Sequence, residues 1–258
     1  MYDYFKSFYD YRYLLQVMVR RDIKNKYRGS YLGILWSLLN PLLQMVVLTI
    51  IFSTLFERSI ENFALYMISG RILFDFFSGT TTMSIRSLTT SSSLIKKVYF
   101  PKYIVPLSRV ISNFIIFLIS LIDLALVIVI TGASLSWEML FAPVYLIIFM
   151  LFTLGCSLIL STIAVFFRDI EHLYGIVTMV LMYFSAIFYP IDILPKNAEF
   201  LLLFNPIYQF ILGFRGCVYY NVGISYFNLV VCLVWAVVSL FLGLFLFKRN
   251  QDKFILYI

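Results

Sequence analysis

Histidine and cysteine are scarce in this chain of 258 residues. It contains one histidine, His172, and three cysteines, Cys156, Cys217 and Cys232, which lie scattered in apolar sequence. The cysteines have neither the paired spacing of a zinc site nor the pattern of a disulfide framework. We therefore expect no metal site and no structural disulfide.

A nucleotide-binding loop and a catalytic set are also missing from the sequence. The phosphate-binding motif GxxxxGK[ST] places a lysine directly after a glycine, and none of the 11 glycines is followed by lysine. A membrane enzyme would need a convergent acid, base, nucleophile or metal set, and we find none. We expect no catalytic residue, no cofactor and no ATP hydrolysis by this chain alone.

Charged residues make up only 13% of the chain, whereas 62% of residues are hydrophobic and the mean hydropathy is +0.94. These values predict an integral membrane protein. A helix needs about 20 apolar residues to cross a bilayer core, and six segments have a suitable length. They are Leu32–Phe56, Phe63–Ile85, Pro106–Thr131, Met139–Phe166, His172–Tyr189 and Tyr226–Phe247.

Lysine and arginine are unevenly distributed around these segments. Arg58, Lys196 and Arg215 fall on one side, while the N-terminal region, the loop after the second segment and the C-terminal end carry nearly all of the others. Cytoplasmic segments are enriched in both residues, so both termini are predicted to be cytoplasmic. Anionic lipid headgroups account for the net charge of +7, and no motif for binding nucleic acid accompanies it.

Residues 1–30 are predicted to form an amphipathic helix that lies in the cytoplasmic membrane interface. Arg20, Lys24 and Arg28 form a basic ridge at i, i+4 spacing, with Lys26 beside it. Two interpretations stay open, a topology anchor and a contact for the anionic headgroup of a substrate. The opposite face is apolar and aromatic, with Tyr4, Phe8, Tyr11, Leu15, Val19, Ile23 and Tyr27 at spacings of three and four residues.

Residues 87–110 read "SLTTSSSLIKKVYFPKYIVPLSRV", and residues 87–105 of this stretch are predicted to form a cytoplasmic loop. Pro101 and Pro106 interrupt helix formation before the third span. Between the serine-rich start and these prolines lies a short segment that mixes apolar, aromatic and basic side chains, which is typical of a docking element. An ordinary basic loop is the alternative. The segment includes Leu94, Ile95, Lys96, Lys97, Val98, Tyr99 and Phe100.

Polar residues also occur inside the predicted spans. Arg71, Asp75, Ser78 and Thr82 follow one face of the second span, and Arg71 and Asp75 are close enough to pair. This face is predicted to point at the bundle interior or at a water-filled path, with a structural salt bridge as the alternative. The solitary Asp123 is expected to make a helix–helix hydrogen bond.

The outer segment 191–224 is predicted to be re-entrant. Its apolar part, 200–214, is interrupted by Asn205-Pro206 and is too short to cross the membrane. A broken helix at membrane depth is stable only when protein or a cavity surrounds it. A plain extracellular domain is the alternative interpretation.

Four blocks resemble the membrane subunit of polysaccharide ABC exporters, the family that moves lipid-linked O-antigens and teichoic acids. These blocks are "RRDIKNKYRGSYLGILWSLLNPLL", "SLIKKVYFPKYIVPLSRV", "FFRDIEHL" and "LFNPIYQFILGFR", in order along nearly the whole chain. The resemblance implies a homodimeric channel, an N-terminal interface helix, re-entrant outer helices and a separate ATPase subunit. It also implies docking of that ATPase on Leu94, Lys96, Lys97, Tyr99 and Phe100, with a second contact at Arg168 and Asp169, the latter capping the next helix.

Together these observations predict an all-α integral membrane protein, with residues 1–30 as the interface helix and residues 31–258 as a six-helix transmembrane domain. The expected function is the channel subunit of an exporter for polyprenyl-diphosphate-linked polysaccharide in the bacterial inner membrane. A proton-coupled secondary transporter is disfavoured, because it should carry more acidic residues within the spans than Asp75 and Asp123. An ABC exporter of a drug or another lipid is the alternative.

Overall fold

The computed structural model describes residues 9–56, 60–134, 136–191, 202 and 204–258. These residues form helices and connecting turns, with no strand among them. Tyr4, Phe8, Arg58 and Lys196, and most of the predicted outer segment before Asn205, lie outside the described residues. The predicted all-α class is therefore confirmed for the part of the chain that the structure describes.

The helices follow the predicted segments closely. Two of the long helices begin with a 3-10 turn, Gly33–Leu35 before α2 and Trp137–Phe141 before α7. The α-helices are α1 Arg12–Lys26, α2 Trp36–Phe56, α3 Phe63–Ile85, α4 Ser87–Thr90, α5 Ser92–Lys97, α6 Ile104–Thr131, α7 Ala142–Phe166, α8 Ile170–Phe184, α9 Pro206–Val218, α10 Tyr226–Asn250 and α11 Phe254–Tyr257.

Four described helical segments are long and apolar enough to cross a membrane. They are Gly33–Phe52, Ile104–Thr131, Trp137–Phe166 and Tyr226–Asn250. The second predicted span is helix α3, whose bounds match the prediction. It is long enough to cross a membrane, but its polar residues make it less apolar than these four segments. The fifth is α8, which has 15 residues and is about 22 Å long. The count of six spans therefore stays a prediction.

The helix α8 ends five residues before the predicted limit at Tyr189. Ala186 adopts a left-handed backbone with φ of 48°, which an α-helix cannot contain. The side-chain amide of Asn205 donates to the carbonyl of Phe184 at 2.9 Å and so binds the end of the helix. The early end is thus fixed by a contact with a residue distant in sequence.

The bundle is held together by close helix contacts and an aromatic core. Helices α7 and α10 pack along each other, and a Cβ on Gly155 would lie only 2.4 Å from the Ser239 backbone. Such small residues allow helix backbones to approach within a membrane. The main core joins α3, α6, α7 and α9. In it, the Phe149 ring contacts the rings of both Phe76 and Phe210.

Helix α1 packs against one end of the bundle. Its buried residues Leu15, Met18 and Val19 pack with Phe247, Phe254 and residues of the loop 87–105 in one cluster, which we call the α1-end cluster. This confirms the apolar face predicted for the part of the N-terminal helix that is described. The polar residue Asp22 is also buried on this face, which the apolar pattern did not predict.

A buried ion pair fastens α1 to α6. The Asp22 carboxylate is fully buried and forms a salt bridge with Arg109, whose side chain is 10% exposed. The Ser108 hydroxyl donates to the same carboxylate at 3.1 Å. Because an unpaired buried charge is costly, this pair fixes both the position and the rotation of α1.

Removal of one partner of this ion pair should destabilise the protein. We expect Asp22→Asn to lower the free energy of unfolding by about 3 kcal/mol, because Arg109 then stays buried without its partner. The double variant Asp22→Asn, Arg109→Gln should recover part of this loss. Thermal unfolding in detergent measures both effects, with Asp10→Asn as the control at an exposed position of the same segment. Wild-type stability of Asp22→Asn would contradict the assigned role.

Candidate functional site

A stripe of polar residues runs along the accessible side of α3. Arg71, Asp75 and Ser78 are half-buried and Thr82 is exposed, while most other residues of α3 are buried. The Arg71 guanidinium donates through Nε to the Asp75 carboxylate at 3.0 Å. The predicted polar face therefore exists as a continuous surface, which we call the polar stripe, and its first two members form an ion pair.

Helices α2 and α8 both contact α3. The Arg71 Nη1 lies 3.2 Å from the Met182 sulfur of α8, which places this helix beside the stripe. Both helices also expose large apolar side chains, which in α2 include Leu43, Val46, Val47 and Ile50 and in α8 include Ile176, Met179, Val180 and Tyr183. A polar strip between two apolar helix surfaces is thus open on one side of this chain.

A cavity of about 190 Å³ lies where α1 meets α2, and we call it the junction cavity. Its polar lining comes from four helices and the turn after α1, which the sequence alone does not bring together. The residues that contribute polar groups are Lys26, Tyr27, Ser37, Asn40, Asp75, Asn113 and Ser120. The cavity therefore joins the end of the interface helix to the polar stripe.

Pro41 explains one of the polar contacts in this cavity. Proline has no backbone N–H, so the carbonyl of Ser37 four residues earlier loses its usual helical partner. The hydroxyl of Ser120 on α6 donates to that carbonyl at 3.2 Å. A proline inside α2 thus creates an acceptor that fastens α2 to α6 and leaves polar atoms at the cavity wall.

Lys26 supplies the amine in the junction cavity. Its Nζ donates to the Asn113 Oδ1 at 3.2 Å. Burial of the amine lowers the pKa of Lys26 below its ordinary value, and the negative charge of Asp75 opposes this shift. Lys26 therefore lies within electrostatic reach of the polar stripe.

The other members of the predicted basic cluster are separated from this cavity. Arg20, Lys24 and Arg28 are all exposed, as expected for a basic ridge on the outer face of an interface helix. Lys26 is exposed as well, but its Nζ reaches the Asn113 side chain of α6 and lines the junction cavity. The sequence predicted the cluster but not this division.

The predicted docking residues also divide into exposed and buried sets. Lys96, Lys97 and Tyr99 are exposed, with Tyr99 at 95%, and Leu94 is half-buried against the α1-end cluster. Phe100 is only 4% exposed and belongs to that cluster. Its side chain therefore packs inside the protein, in the same cluster as Leu15 of α1 and Phe254 of α11. Phe100 can position the loop but cannot present its ring to a partner.

The second predicted contact lies at the start of α8. Arg168 and Asp169 are both exposed. Asp169 occupies the N-cap position, as predicted, but its side chain makes no capping hydrogen bond. The neighbouring Glu171 instead forms a salt bridge with Arg86 at the end of α3, so α8 is fastened to α3 near this surface.

Comparison with known sequences identifies the family of this fold. Residues 13–219 match the profile described as ABC-2 type transporter. The O-antigen export system permease protein RfbA of Klebsiella pneumoniae is 30% identical over 243 residues, which cover 93% of each chain. The protein of the same name in Myxococcus xanthus is 28% identical over 96% of each chain. The polysialic acid transport protein KpsM of Escherichia coli is 23% identical over 92% of this chain and 93% of its own.

The chain belongs to the ABC-2 type transporter family. The matched region contains α1, the junction cavity, the polar stripe and the docking loop. It is thus a permease subunit of an ABC-2 transporter, and the resemblance inferred from its sequence blocks is confirmed at the level of the family.

One important residue of this ABC-2 permease was not predicted as a site residue. Arg215 of α9 is 2% exposed, and its guanidinium donates to the carbonyls of Tyr66, Ala186 and Ile187 at 2.9 to 3.2 Å. It also lies over the Tyr66 ring, 3.5 Å from the centroid. An arginine in the apolar block "FILGFRGCV" was the signal that could have revealed it, because such a charge must find internal partners.

The ion pair of the polar stripe yields a prediction on stability. Asp75→Asn should lower the unfolding temperature, because Arg71 keeps its charge without a partner. The double variant Arg71→Gln, Asp75→Asn should recover part of the lost stability. The effect should be about 1 kcal/mol, since the Asp75 side chain is 37% exposed. Thr80→Val, at a buried position of α3, is the matched control. Equal stability of all four proteins would rule out this role for the pair.

Proposed function

We propose that this chain is the channel-forming subunit of an ABC exporter that moves a polyprenyl-diphosphate-linked polysaccharide outward across the bacterial inner membrane. A second copy of the chain and a separate ATPase subunit complete the exporter in this proposal. The observation that carries it is the polar stripe of α3, which lies between the exposed apolar surfaces of α2 and α8.

The exposed surfaces of α2 and α8 support the homodimer. A single chain leaves the polar stripe open on one side, and polar groups at membrane depth are stable when they line a water-filled cavity or face other protein. A second copy of the chain would enclose the stripe with equivalent residues by two-fold symmetry. Enclosed in this way, the hydroxyls of Ser78 and Thr82 could exchange hydrogen bonds with water and sugar.

The names of the relatives support a polysaccharide as substrate. The Klebsiella pneumoniae and Myxococcus xanthus relatives are named for O-antigen export and the Escherichia coli relative for polysialic acid transport. These relatives are matched over more than nine tenths of this chain. A polysaccharide therefore fits better than a drug or a free lipid.

The basic groups around α1 support an anionic lipid carrier. A polyprenyl diphosphate keeps its hydrocarbon in the inner leaflet and its charge at the headgroup level, where the exposed Arg20, Lys24 and Arg28 lie in the proposed orientation. Lysine and arginine bind phosphate by charge-assisted hydrogen bonds. Lys26 lies near the end of the same helix and lines the junction cavity, so it would connect this surface to that cavity.

The ATPase would dock on the cytoplasmic face formed by the loop 87–105 and the start of α8. The exposed residues Lys96, Lys97 and Tyr99 offer charge and an aromatic ring, and Arg168 and Asp169 offer a second contact. This face lies beside α1, so both termini would be cytoplasmic, in agreement with the lysine and arginine distribution. Docking here would connect ATP hydrolysis to α3 and α8 through the salt bridge of Arg86 with Glu171.

Charge reversal on the docking loop should release the ATPase. We expect Lys96→Glu, Lys97→Glu, Tyr99→Ala to lose the nucleotide-binding subunit during co-purification, because the variant changes exposed groups and leaves the buried Phe100 in place. A pull-down with tagged chain, quantified against the inserted permease, measures this loss. The control is Arg249→Glu, Lys253→Glu at exposed positions near the C-terminus. Full retention of the ATPase by the triple variant would refute the proposed docking surface.

Loss of the basic ridge should stop export without preventing assembly. In a strain that lacks the native gene, Lys24→Gln, Arg28→Gln should insert and bind the ATPase, yet lipid-linked polymer should accumulate inside the cell and surface polysaccharide should fall severalfold. The reason is the lost attraction of about 1 kcal/mol for each basic group near an anionic lipid surface. Surface and lipid-linked polysaccharide are measured together with inserted protein.

The exposed pair Arg249→Gln, Lys253→Gln is the matched control for lost positive charge on the cytoplasmic side. Normal surface polymer at a normal level of Lys24→Gln, Arg28→Gln would mean that the ridge is only an anchor. Normal surface polymer in the strain that lacks the chain altogether would contradict the proposed function itself.

A further inference from the structure

A large cleft opens at the end of the bundle opposite α1. It has a volume of about 1060 Å³ and lies between the start of α3, the end of α6 and the residues that follow α9. This is at the upper limit of typical small-molecule sites, which occupy about 300–1,000 Å³. We call it the outer cleft, and its polar and aromatic lining comprises Glu61, Asn62, Ser134, Tyr219, Tyr220 and Asn221.

The aromatic wall of this cleft is held rigidly. The rings of Tyr219 and Tyr220 meet edge to face with centroids 4.8 Å apart, and Tyr219 packs in the same manner on Tyr66 at 5.5 Å. Tyr66 in turn lies under the buried guanidinium of Arg215. The Tyr220 ring is 47% exposed at the end of this stack, so it presents a fixed aromatic surface to the cleft.

The polar wall is also prearranged. The Asn221 side chain accepts a hydrogen bond from the Ser136 hydroxyl at 2.7 Å and donates to the Ser134 hydroxyl at 3.2 Å. An amide can donate two hydrogen bonds and accept two, so Asn221 can bind a ligand hydroxyl while keeping both contacts. Glu61 is exposed nearby and contributes a carboxylate acceptor.

The charge of the lining restricts the kind of ligand. Among the described residues that line the outer cleft, Glu61 is the charged one, and none is lysine or arginine. Among these described lining residues, a phosphate or another anion would meet a like charge and no cation. Sugar rings fit the lining better, because their C–H faces pack on aromatic rings and their hydroxyls pair with carboxylate and amide groups.

We propose that the outer cleft binds uncharged sugar residues of the exported polymer as the chain leaves the channel. This inference rests on the proposed function, because it takes the cleft to face the outer side and the substrate to be a glycan. It adds a second glycan contact, remote from the polar stripe, and it assigns the polymer to the neutral class. Tyr220 supplies the stacking surface, and Glu61 and Asn221 bind hydroxyls.

Direct binding tests the inference without transport. The full-length chain is placed in lipid nanodiscs, which leave both faces accessible, and titrated with lipid-free polysaccharide released by mild acid from the surface of the producing strain. Saturation-transfer NMR reports the contact, and the titration gives Kd. Tyr220→Leu should weaken binding about tenfold, as expected for a lost aromatic contact, and Tyr220→Phe should retain it. Glu61→Ala should also weaken it.

The matched control is Tyr226→Leu, since Tyr226 is an exposed tyrosine at the start of α10, outside the lining of the cleft. Its Kd should equal that of the wild type, and gel filtration verifies the folding of every variant. Polysialic acid is the charged probe and should bind at least tenfold more weakly than the neutral polymer. Retained affinity of Tyr220→Leu, an equal loss in Tyr226→Leu or equal binding of polysialic acid would each overturn the inference.

Surface polysaccharide is measured in parallel in the producing strain, with and without the chain. If export depends on the chain but the purified chain does not bind the polymer, the cleft is not a glycan site and the proposed function stands. Acidic sugars in the exported polymer would likewise overturn the assignment to the neutral class. If export does not depend on the chain, the proposed function fails first.

Discussion

The ion pair between Asp22 and Arg109 fixes the arrangement of the half of the bundle that carries α1. Its carboxylate is fully buried between α1 and α6 and also accepts a hydrogen bond from Ser108. An apolar face alone would permit α1 to rotate or slide on the bundle, because the hydrophobic effect is not directional. The ion pair selects one rotation, which brings the Lys26 amine to Asn113 and leaves the basic ridge exposed.

Helix α3 connects the features to which we assign a role. The first residues of α3 border the outer cleft, its middle carries Arg71 and Asp75, and Asp75 also lines the junction cavity. Most of its surface is buried among α6, α7 and α9, so it is the central helix of the bundle. In the proposed function, a substrate would follow this helix from the basic ridge to the outer cleft.

Arg215 shows how a buried charge is stabilised in the half of the bundle opposite α1. Its guanidinium has donors directed at three backbone carbonyls and lies on the Tyr66 ring. The carbonyls of Ala186 and Ile187 are available because the chain leaves the helical path after α8, where Ala186 has a positive φ. The same turn therefore ends α8 and supplies acceptors for Arg215. Gly70 leaves room for this guanidinium, since a Cβ there would lie 2.6 Å from its Nη2.

The sequence by itself determined the approximate positions of the long helices, because long apolar runs and their breaks are local signals. Phe63–Ile85 was predicted at its observed bounds, and the polar face of that helix followed from spacing alone. The apolar face of α1 was visible for the same reason. These features depend on residues that are neighbours along one helix.

Only the tertiary structure decided which side chains meet across helices. It buried Phe100 in the α1-end cluster, paired Asp22 with Arg109, brought Lys26 to Asn113 and surrounded Arg215 with carbonyls. Each of these contacts joins segments far apart in the chain, and their geometry depends on how the helices pack and rotate. Residue spacing within one helix cannot specify that rotation, so the division of the basic cluster and the shape of both cavities followed from the fold.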